Sequence, residues 1–118
     1  MKGIKTLIIV SHKPGHTNPN AHHPVEADVA TFYKSLESFV PASVKTYEIV
    51  AHNHVLSQSK DGLWNTAGGG GRSHYTCGTN AVWTFCDATH YGFLEATVDN
   101  GNGATTISYY DTSGSKLH

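Results

Sequence analysis

The sequence predicts an α/β fold in which one βαβ unit is followed by a glycine-rich loop and a C-terminal antiparallel hairpin. Three observations support this prediction. Two apolar runs flank a segment with helical spacing, four consecutive glycines at 68–71 interrupt the pattern, and two β-rich segments surround the turn Asn-Gly-Asn-Gly at 100–103. Strand, helix and strand in this order are what a parallel βαβ unit requires.

The βαβ unit occupies the first half of the chain. The apolar run Thr6–Val10 predicts a buried strand. Residues 25–39 then space their apolar side chains by three and four positions, which predicts an amphipathic helix with the stripe Val25, Val29, Phe32, Leu36 and Phe39. Pro24 precedes this helix and Pro41 ends it. A second strand is predicted over 44–50.

The second half of the chain is predicted to be richer in turns. A short strand over 63–67 enters the glycine run, and residues 72–91 are expected to form a loop with one short strand at 82–85. The final hairpin is predicted over 92–99 and 104–110, because an Asn-Gly turn between β-rich segments is a strong hairpin signal.

Size and charge limit the classes of function. With 118 residues the chain is expected to form one domain, 1–118. Its net charge of -1 and its pI near 6.7 do not indicate binding to nucleic acid or to a membrane surface. No apolar run approaches the roughly 18 residues of a membrane span, and no signal peptide is expected. Only 14% of residues are charged, a composition that leans toward an extracytoplasmic setting.

Two cysteines, Cys77 and Cys86, lie nine positions apart. They would close a small loop in an oxidising compartment, or they would remain two reduced thiols in a reducing one. The spacing does not decide between these alternatives.

Histidines stand where each strand of the βαβ unit ends. His12 follows the first strand, and His52 and His54 follow the second. Ligands in α/β sheets gather outside the carboxyl ends of strands, and neutral imidazole is the commonest metal ligand. The sequence therefore predicts a metal site at His12, His52 and His54. The alternative is three solvated histidines without a function.

Several motifs in this order resemble the C-terminal half of calcineurin-like metallophosphoesterases, the family that includes purple acid phosphatases. His12–Pro14 after an apolar strand resembles the family's fourth motif, and Ala51–His54 resembles its Gly-His-x-His motif with Ala in place of Gly. The segment Gly68–Tyr75 and the closing hairpin are also similar to this family. The resemblance implies half of the family's β-sandwich, without the N-terminal metal motifs.

The resemblance also implies a ligand set and a reaction. His12 and His52 would share a divalent transition metal such as Zn, Mn or Fe, and His54 would face a second ion in a dinuclear site. In the family, such ions activate a hydroxide for in-line attack on phosphorus. The carboxylates that bridge the ions in the family are absent here, and the replacements that remain open are Glu26, Asp28, Asp61 and Asp87.

Candidate substrate-binding residues surround these histidines in the sequence. The guanidinium of Arg72 suits a phosphoryl oxygen, and glycine-rich backbone offers N–H donors to an anion. His74, two positions later, is a candidate catalytic residue together with His54. His16 and His23, in the polar loop after the first strand, are candidates for substrate binding. The alternative for each is a solvent-exposed loop side chain.

Three hypotheses of function follow. The first is a small, slow and promiscuous phosphoesterase that hydrolyses phosphodiesters or activated phosphomonoesters. The second is a non-catalytic remnant that binds a metal or a partner protein. The third is one piece of a longer gene product whose other part carries the missing aspartates. Because half a sandwich leaves open strand edges and apolar faces, a homodimer that covers them is expected.

Overall fold

The computed structural model describes residues 3–16, 22–79 and 81–118 of the chain. Residues 17–21 of the predicted histidine loop lie outside this range. One helix and seven strands follow in the order β1 Thr6–Val10, α1 Ala27–Ser38, β2 Lys45–Val50, β3 Leu56–Ser59, β4 Trp64–Ala67, β5 Trp83–Asp87, β6 Gly92–Val98 and β7 Thr105–Asp111. The described chain is therefore a mixed α and β protein, as predicted at this coarse level.

The strands form two sheets. The larger sheet has the order β1-β2-β4-β3-β5, and the smaller one is the hairpin β6-β7. Strand β1 runs parallel to β2, with Thr6 opposite Lys45, and β2 runs parallel to β4. The predicted parallel βαβ unit and the predicted antiparallel hairpin are both confirmed.

Helix α1 and the hairpin lie on opposite faces of the larger sheet. The register places Ile9, Glu48 and Trp64 side by side, and these residues line a cavity together with Tyr33 of α1. On the other face, the hydroxyl of Tyr109 in the hairpin lies 2.5 Å from the Ser57 carbonyl oxygen and 3.0 Å from Asn65 Oδ1. Successive side chains of a strand point to opposite faces, which gives three layers.

The helix is present where the periodicity predicts it, but its apolar stripe points away from the sheet. Phe32 is 59% exposed and Phe39 is 78% exposed, whereas Tyr33 is only 2% exposed. An amphipathic helix ordinarily buries its apolar stripe. Here the Tyr33 hydroxyl lies 2.6 Å from Ser11 Oγ, and this contact with the loop after β1 holds the helix face that carries Tyr33 against the sheet.

Strand β3 was not predicted, because its sequence Leu-Ser-Gln-Ser does not look like a buried strand. Nevertheless Leu56 and Ser57 are 0% exposed and Ser59 is 1% exposed. The strand lies between β4 and β5 in the sheet, and its backbone pairs with both of them. Backbone pairing, rather than side-chain hydrophobicity, accounts for this element.

Cys77 and Cys86 form a disulfide with their Cα atoms 6.0 Å apart, so the structure decides between the two alternatives left open by the sequence. The bond links the segment after the glycine run to β5.

Across the described ranges, no helix has the length and apolar character needed to cross a bilayer.

Candidate metal centre

The carboxyl ends of β1 and β2 are joined by two backbone hydrogen bonds beyond the last residues of the strands. Ser11 N–H donates to the Ile49 carbonyl oxygen (3.1 Å), and Ala51 N–H donates to the His12 carbonyl oxygen (3.1 Å). These bonds extend the parallel ladder into the loops. They place the loop that carries His12 directly beside the turn that carries His52.

The imidazoles of His12 and His52 meet edge to face. His12 Nε2 lies 3.2 Å from His52 Nδ1, and the ring planes are inclined by 75°. Two imidazole nitrogens bound to one tetrahedral ion, with bonds of 2.0–2.1 Å, lie about 3.3 Å apart. The pair therefore has the nitrogen spacing that a single metal ion requires. Without an ion, a proton on one ring makes the same contact a hydrogen bond.

His52 occupies a left-handed backbone conformation, with φ 51°. Few residues other than glycine adopt this conformation, although His does so more readily than most. Burial lowers the pKa of His52, and the nearby His23, His12 and Lys13 lower it further. The neutral ring, which is the form that ligates metals, is therefore favoured at neutral pH.

His54 is oriented by the backbone of the glycine-rich segment. Its Nδ1 lies 3.0 Å from the carbonyl oxygen of Ser73. Since a carbonyl oxygen only accepts, Nδ1 donates in this contact, and in the neutral form of the ring Nε2 keeps its lone pair. A ring nitrogen that donates to a backbone carbonyl while the other remains available is the usual arrangement of a metal-binding or proton-transferring histidine.

Tyr75 connects the two groups of histidines and was not singled out by the sequence. Its ring stacks on His54, with centroids 4.1 Å apart, and its hydroxyl lies 3.2 Å from His23 Nε2. The His23 ring in turn lies 4.2 Å from the His52 ring. The predicted substrate residue His23 is therefore next to the metal pair. The position of Tyr75 at the end of the glycine-rich segment was the signal available in the sequence.

A cavity of about 320 Å³ opens beside these histidines. It is lined by His12, His52, His54 and Arg72, together with small residues of the adjoining loops. A Cβ atom on Gly68 would overlap the carbonyl oxygen of Asn53, so glycine is needed where this segment crosses the His52 turn. The structure thus brings Arg72 and the three predicted metal ligands to one cavity.

The remaining predicted residues lie elsewhere. His74 donates from Nε2 to the His90 carbonyl oxygen (3.0 Å), and its ring contacts Tyr91. His16 lies between Glu48 and Glu37 on the helix side of the sheet. The carboxylates considered as replacement ligands do not line the cavity that the structure describes, and Glu26 instead pairs with Lys13 at 2.6 Å.

The metal implied by the family resemblance requires a group of ligating side chains that lie close together. Among residues 3–16, 22–79 and 81–118, no group of three or more His, Cys, Asp or Glu side chains is placed to hold a metal ion. The His12–His52 pair would supply two of the ligands of a single ion, and the others would have to come from elsewhere. A dinuclear centre would need further ligands from outside the described set.

Comparisons with protein-family models, with curated proteins and with solved structures found no match. The resemblance to calcineurin-like metallophosphoesterases therefore rests on the sequence motifs alone.

Proposed function

We propose that this chain is a metal-dependent phosphoesterase of low catalytic power that takes its metal on His12 and His52. The observation that carries this proposal is the 3.2 Å separation of two imidazole nitrogens at the carboxyl ends of parallel strands. Zn, Mn and Fe are the ions considered, since imidazole suits borderline transition metals. The preferred substrate class is a small phosphodiester or an activated phosphomonoester.

The residues around the cavity have complementary tasks in this proposal. A bound divalent ion supplies a nucleophile at neutral pH and polarises the phosphoryl oxygen. Arg72, which lines the same cavity, binds a second phosphoryl oxygen through its guanidinium. His54, with Nε2 unprotonated, exchanges a proton with the leaving group or with water. His23 and Tyr75 border the substrate side of the histidine pair.

Slow turnover is part of this proposal. The carboxylates near the site are engaged elsewhere, so the negative ligands that usually fix a phosphoesterase metal do not line this cavity. The cavity is also open toward solvent, and glycine and alanine make up much of its lining. A loosely held substrate loses most of the advantage of orientation, which alone supplies several orders of magnitude in rate.

A second candidate function is metal binding without catalysis. It is considered because a catalytic site ordinarily has three protein ligands, and no three ligating side chains converge in the described part of the chain. In this case the histidines at the cavity would bind an ion reversibly and would not turn over a phosphate ester.

Metal analysis and a hydrolysis assay on the same samples test the proposal. We expect near-stoichiometric metal in the wild type, measured by plasma mass spectrometry, and its loss in His12→Ala and in His52→Ala. The control His90→Asn changes an exposed histidine outside the cavity and should keep the metal. Chelator-sensitive hydrolysis of an aryl phosphodiester should fall at least about tenfold in His52→Ala, because loss of a mere outer-shell partner of a ligand already costs about 10–100-fold.

The outcomes separate the two candidate functions. Metal without hydrolysis in the wild type supports the non-catalytic binder. A wild-type protein without metal, after incubation with zinc or manganese and desalting, refutes both.

We further propose a second copy of this chain as its protein partner. Strand β1 ends the larger sheet, so one side of its backbone has no neighbouring strand within that sheet. Val10 on this strand is 72% exposed, and Phe32 and Phe39 of α1 form an exposed apolar stripe. Two copies of these surfaces would cover the open edge and the stripe together.

A further inference from the structure

Glu48 is the most deeply buried carboxylate among the described residues, at 3% exposure. It lies on β2 between Ile9 and Trp64, on the face of the sheet that α1 covers. A charged group in this position is strongly disfavoured unless hydrogen bonds and an opposite charge compensate it. The groups that offset the cost of burying this charge therefore indicate the role of Glu48.

These groups belong to the loop after β1. Gly15 N–H donates to Glu48 Oε1 (2.5 Å), and His16 Nδ1 donates to Glu48 Oε2 (2.7 Å). The other ring nitrogen of His16 lies 3.1 Å from Glu37 Oε1. The hydrogen bond to Glu48 raises the pKa of His16 against the opposing effect of burial, and the charges of Glu48 and Glu37 add to it. Glu48 thus binds one end of the loop segment 11–16 to the sheet.

The other end of this segment is bound to the helix. Ser11 Oγ lies 2.6 Å from the Tyr33 hydroxyl and donates to the Lys13 carbonyl oxygen at 2.8 Å. A Cβ atom on Gly15 would overlap the Tyr33 ring, so the segment also packs closely against α1. His12, one residue after Ser11, is held between these two attachments.

We infer that Glu48 is a positioning residue: through Gly15 and His16 it holds the segment 11–16 where His12 Nε2 meets His52 Nδ1. Glu48 itself does not line the cavity beside the histidine pair, so it acts through the segment. The inference rests on the proposed metal function. Supporting residues of this kind typically contribute a factor of 10–100 to metal affinity, because they place the ligands before the ion binds.

Zinc titration calorimetry tests this role. Glu48→Gln keeps an oxygen that accepts from Gly15 N–H but removes the charge that faces His16. We expect zinc affinity about tenfold lower in Glu48→Gln and similarly lower in His16→Asn. Both changes break the same contact, the hydrogen bond between His16 and Glu48. The double variant should therefore bind zinc about as weakly as either single variant.

Tyr109→Phe is the matched control for a loss of stability. It removes a buried hydroxyl on the opposite face of the sheet, beside Ser57 and Asn65. We expect it to lower the thermal midpoint while leaving zinc affinity unchanged. If both variants lose affinity in proportion to their lost stability, Glu48 has only a structural role and the inference is wrong.

A measurement without metal separates this inference from the proposed function. In the metal-free wild type, nuclear Overhauser effects between ring protons of His12 and His52 should be visible. They should vanish in Glu48→Gln and persist in Tyr109→Phe. Their persistence in Glu48→Gln overturns the positioning role. A wild type that shows these effects but binds no zinc refutes the metal function alone.

Discussion

Asp87 is a carboxyl group whose ionisation is coupled to the fold. Its side chain is 15% exposed, and Oδ1 accepts hydrogen bonds from the backbone N–H groups of Thr89 (2.7 Å) and His90 (2.9 Å). Burial alone would raise the pKa of this carboxyl. The hydrogen bonds from His90 and Thr89 outweigh burial and lower the pKa to about 2. The ionised form is therefore stabilised by folding.

This coupling predicts a loss of stability in acid. Because the folded pKa lies below the unfolded one, the stabilisation is complete above the unfolded pKa and is lost as pH falls through the folded pKa. We expect the free energy of unfolding to fall by about 1–2 kcal/mol between about pH 5 and pH 2 through this group, after allowance for solvent screening. Urea unfolding of wild type and Asp87→Asn measures it. If the free energy of unfolding depends on pH in the same way in both proteins, the acid-induced loss of stability does not come from Asp87.

Some residues of the candidate site could be predicted from the sequence and others could not. The meeting of His12 and His52 follows from local pattern, because a βαβ unit brings the ends of its two strands together. Glu48 and Tyr75 could not be found in this way. In the sequence Glu48 looks like an outward-facing residue of a strand, and its burial depends on how α1 and the segment 11–16 close over it.

At the scale of elements, periodicity located the helix and most strands but did not give their orientation. The stripe of α1 has ideal helical spacing, yet contacts of Tyr33 turn it outward. Strand β3 escaped prediction because two of its buried positions are serines, whose strand conformation comes from pairing with β4 and β5. In both cases tertiary contacts override the local signal.

The disulfide connects two elements and should stabilise the glycine-rich segment. Closing a loop of this length removes conformational entropy from the unfolded chain worth about 2–3 kcal/mol. We expect Cys77→Ser combined with Cys86→Ser to lower the free energy of unfolding by this amount in equilibrium denaturation. Dithiothreitol should destabilise the wild type similarly and leave the double variant unchanged. Equal stability of the oxidised wild type and the double variant would argue against a structural role.

On the scale of the whole molecule, the three layers leave one side incompletely covered. Helix α1 shields the larger sheet through Tyr33 and presents phenylalanine to solvent, and β1 at the end of the sheet carries the exposed Val10. Because successive side chains of a strand alternate, Val10 points to the face opposite the one that Ile9 shares with α1. The apolar stripe of the helix, with Phe32 and Phe39, is therefore the surface that indicates an interaction.

The exposed Phe32 and Phe39 predict that the chain self-associates through the apolar stripe of α1. The wild type should scatter light as a dimer at micromolar concentration, and Phe32→Glu combined with Phe39→Glu should shift it to a monomer. Phe93→Glu changes an aromatic residue on the hairpin, where Phe93 is 50% exposed, and should leave the dimer intact. A monomeric wild type, or equal dissociation by both sets of substitutions, would refute this assembly.

The left-handed backbone conformation of His52 lowers the stability of the turn, whereas its imidazole is needed for the pair with His12. A side chain in this conformation costs roughly 1–2 kcal/mol relative to an ordinary one, and glycine avoids this cost. Replacement of His52 by glycine would therefore relax the turn while it removes one of the two paired imidazoles. Selection for thermal robustness alone would drive this position away from histidine. Engineering for stability at this turn would therefore sacrifice the imidazole pair.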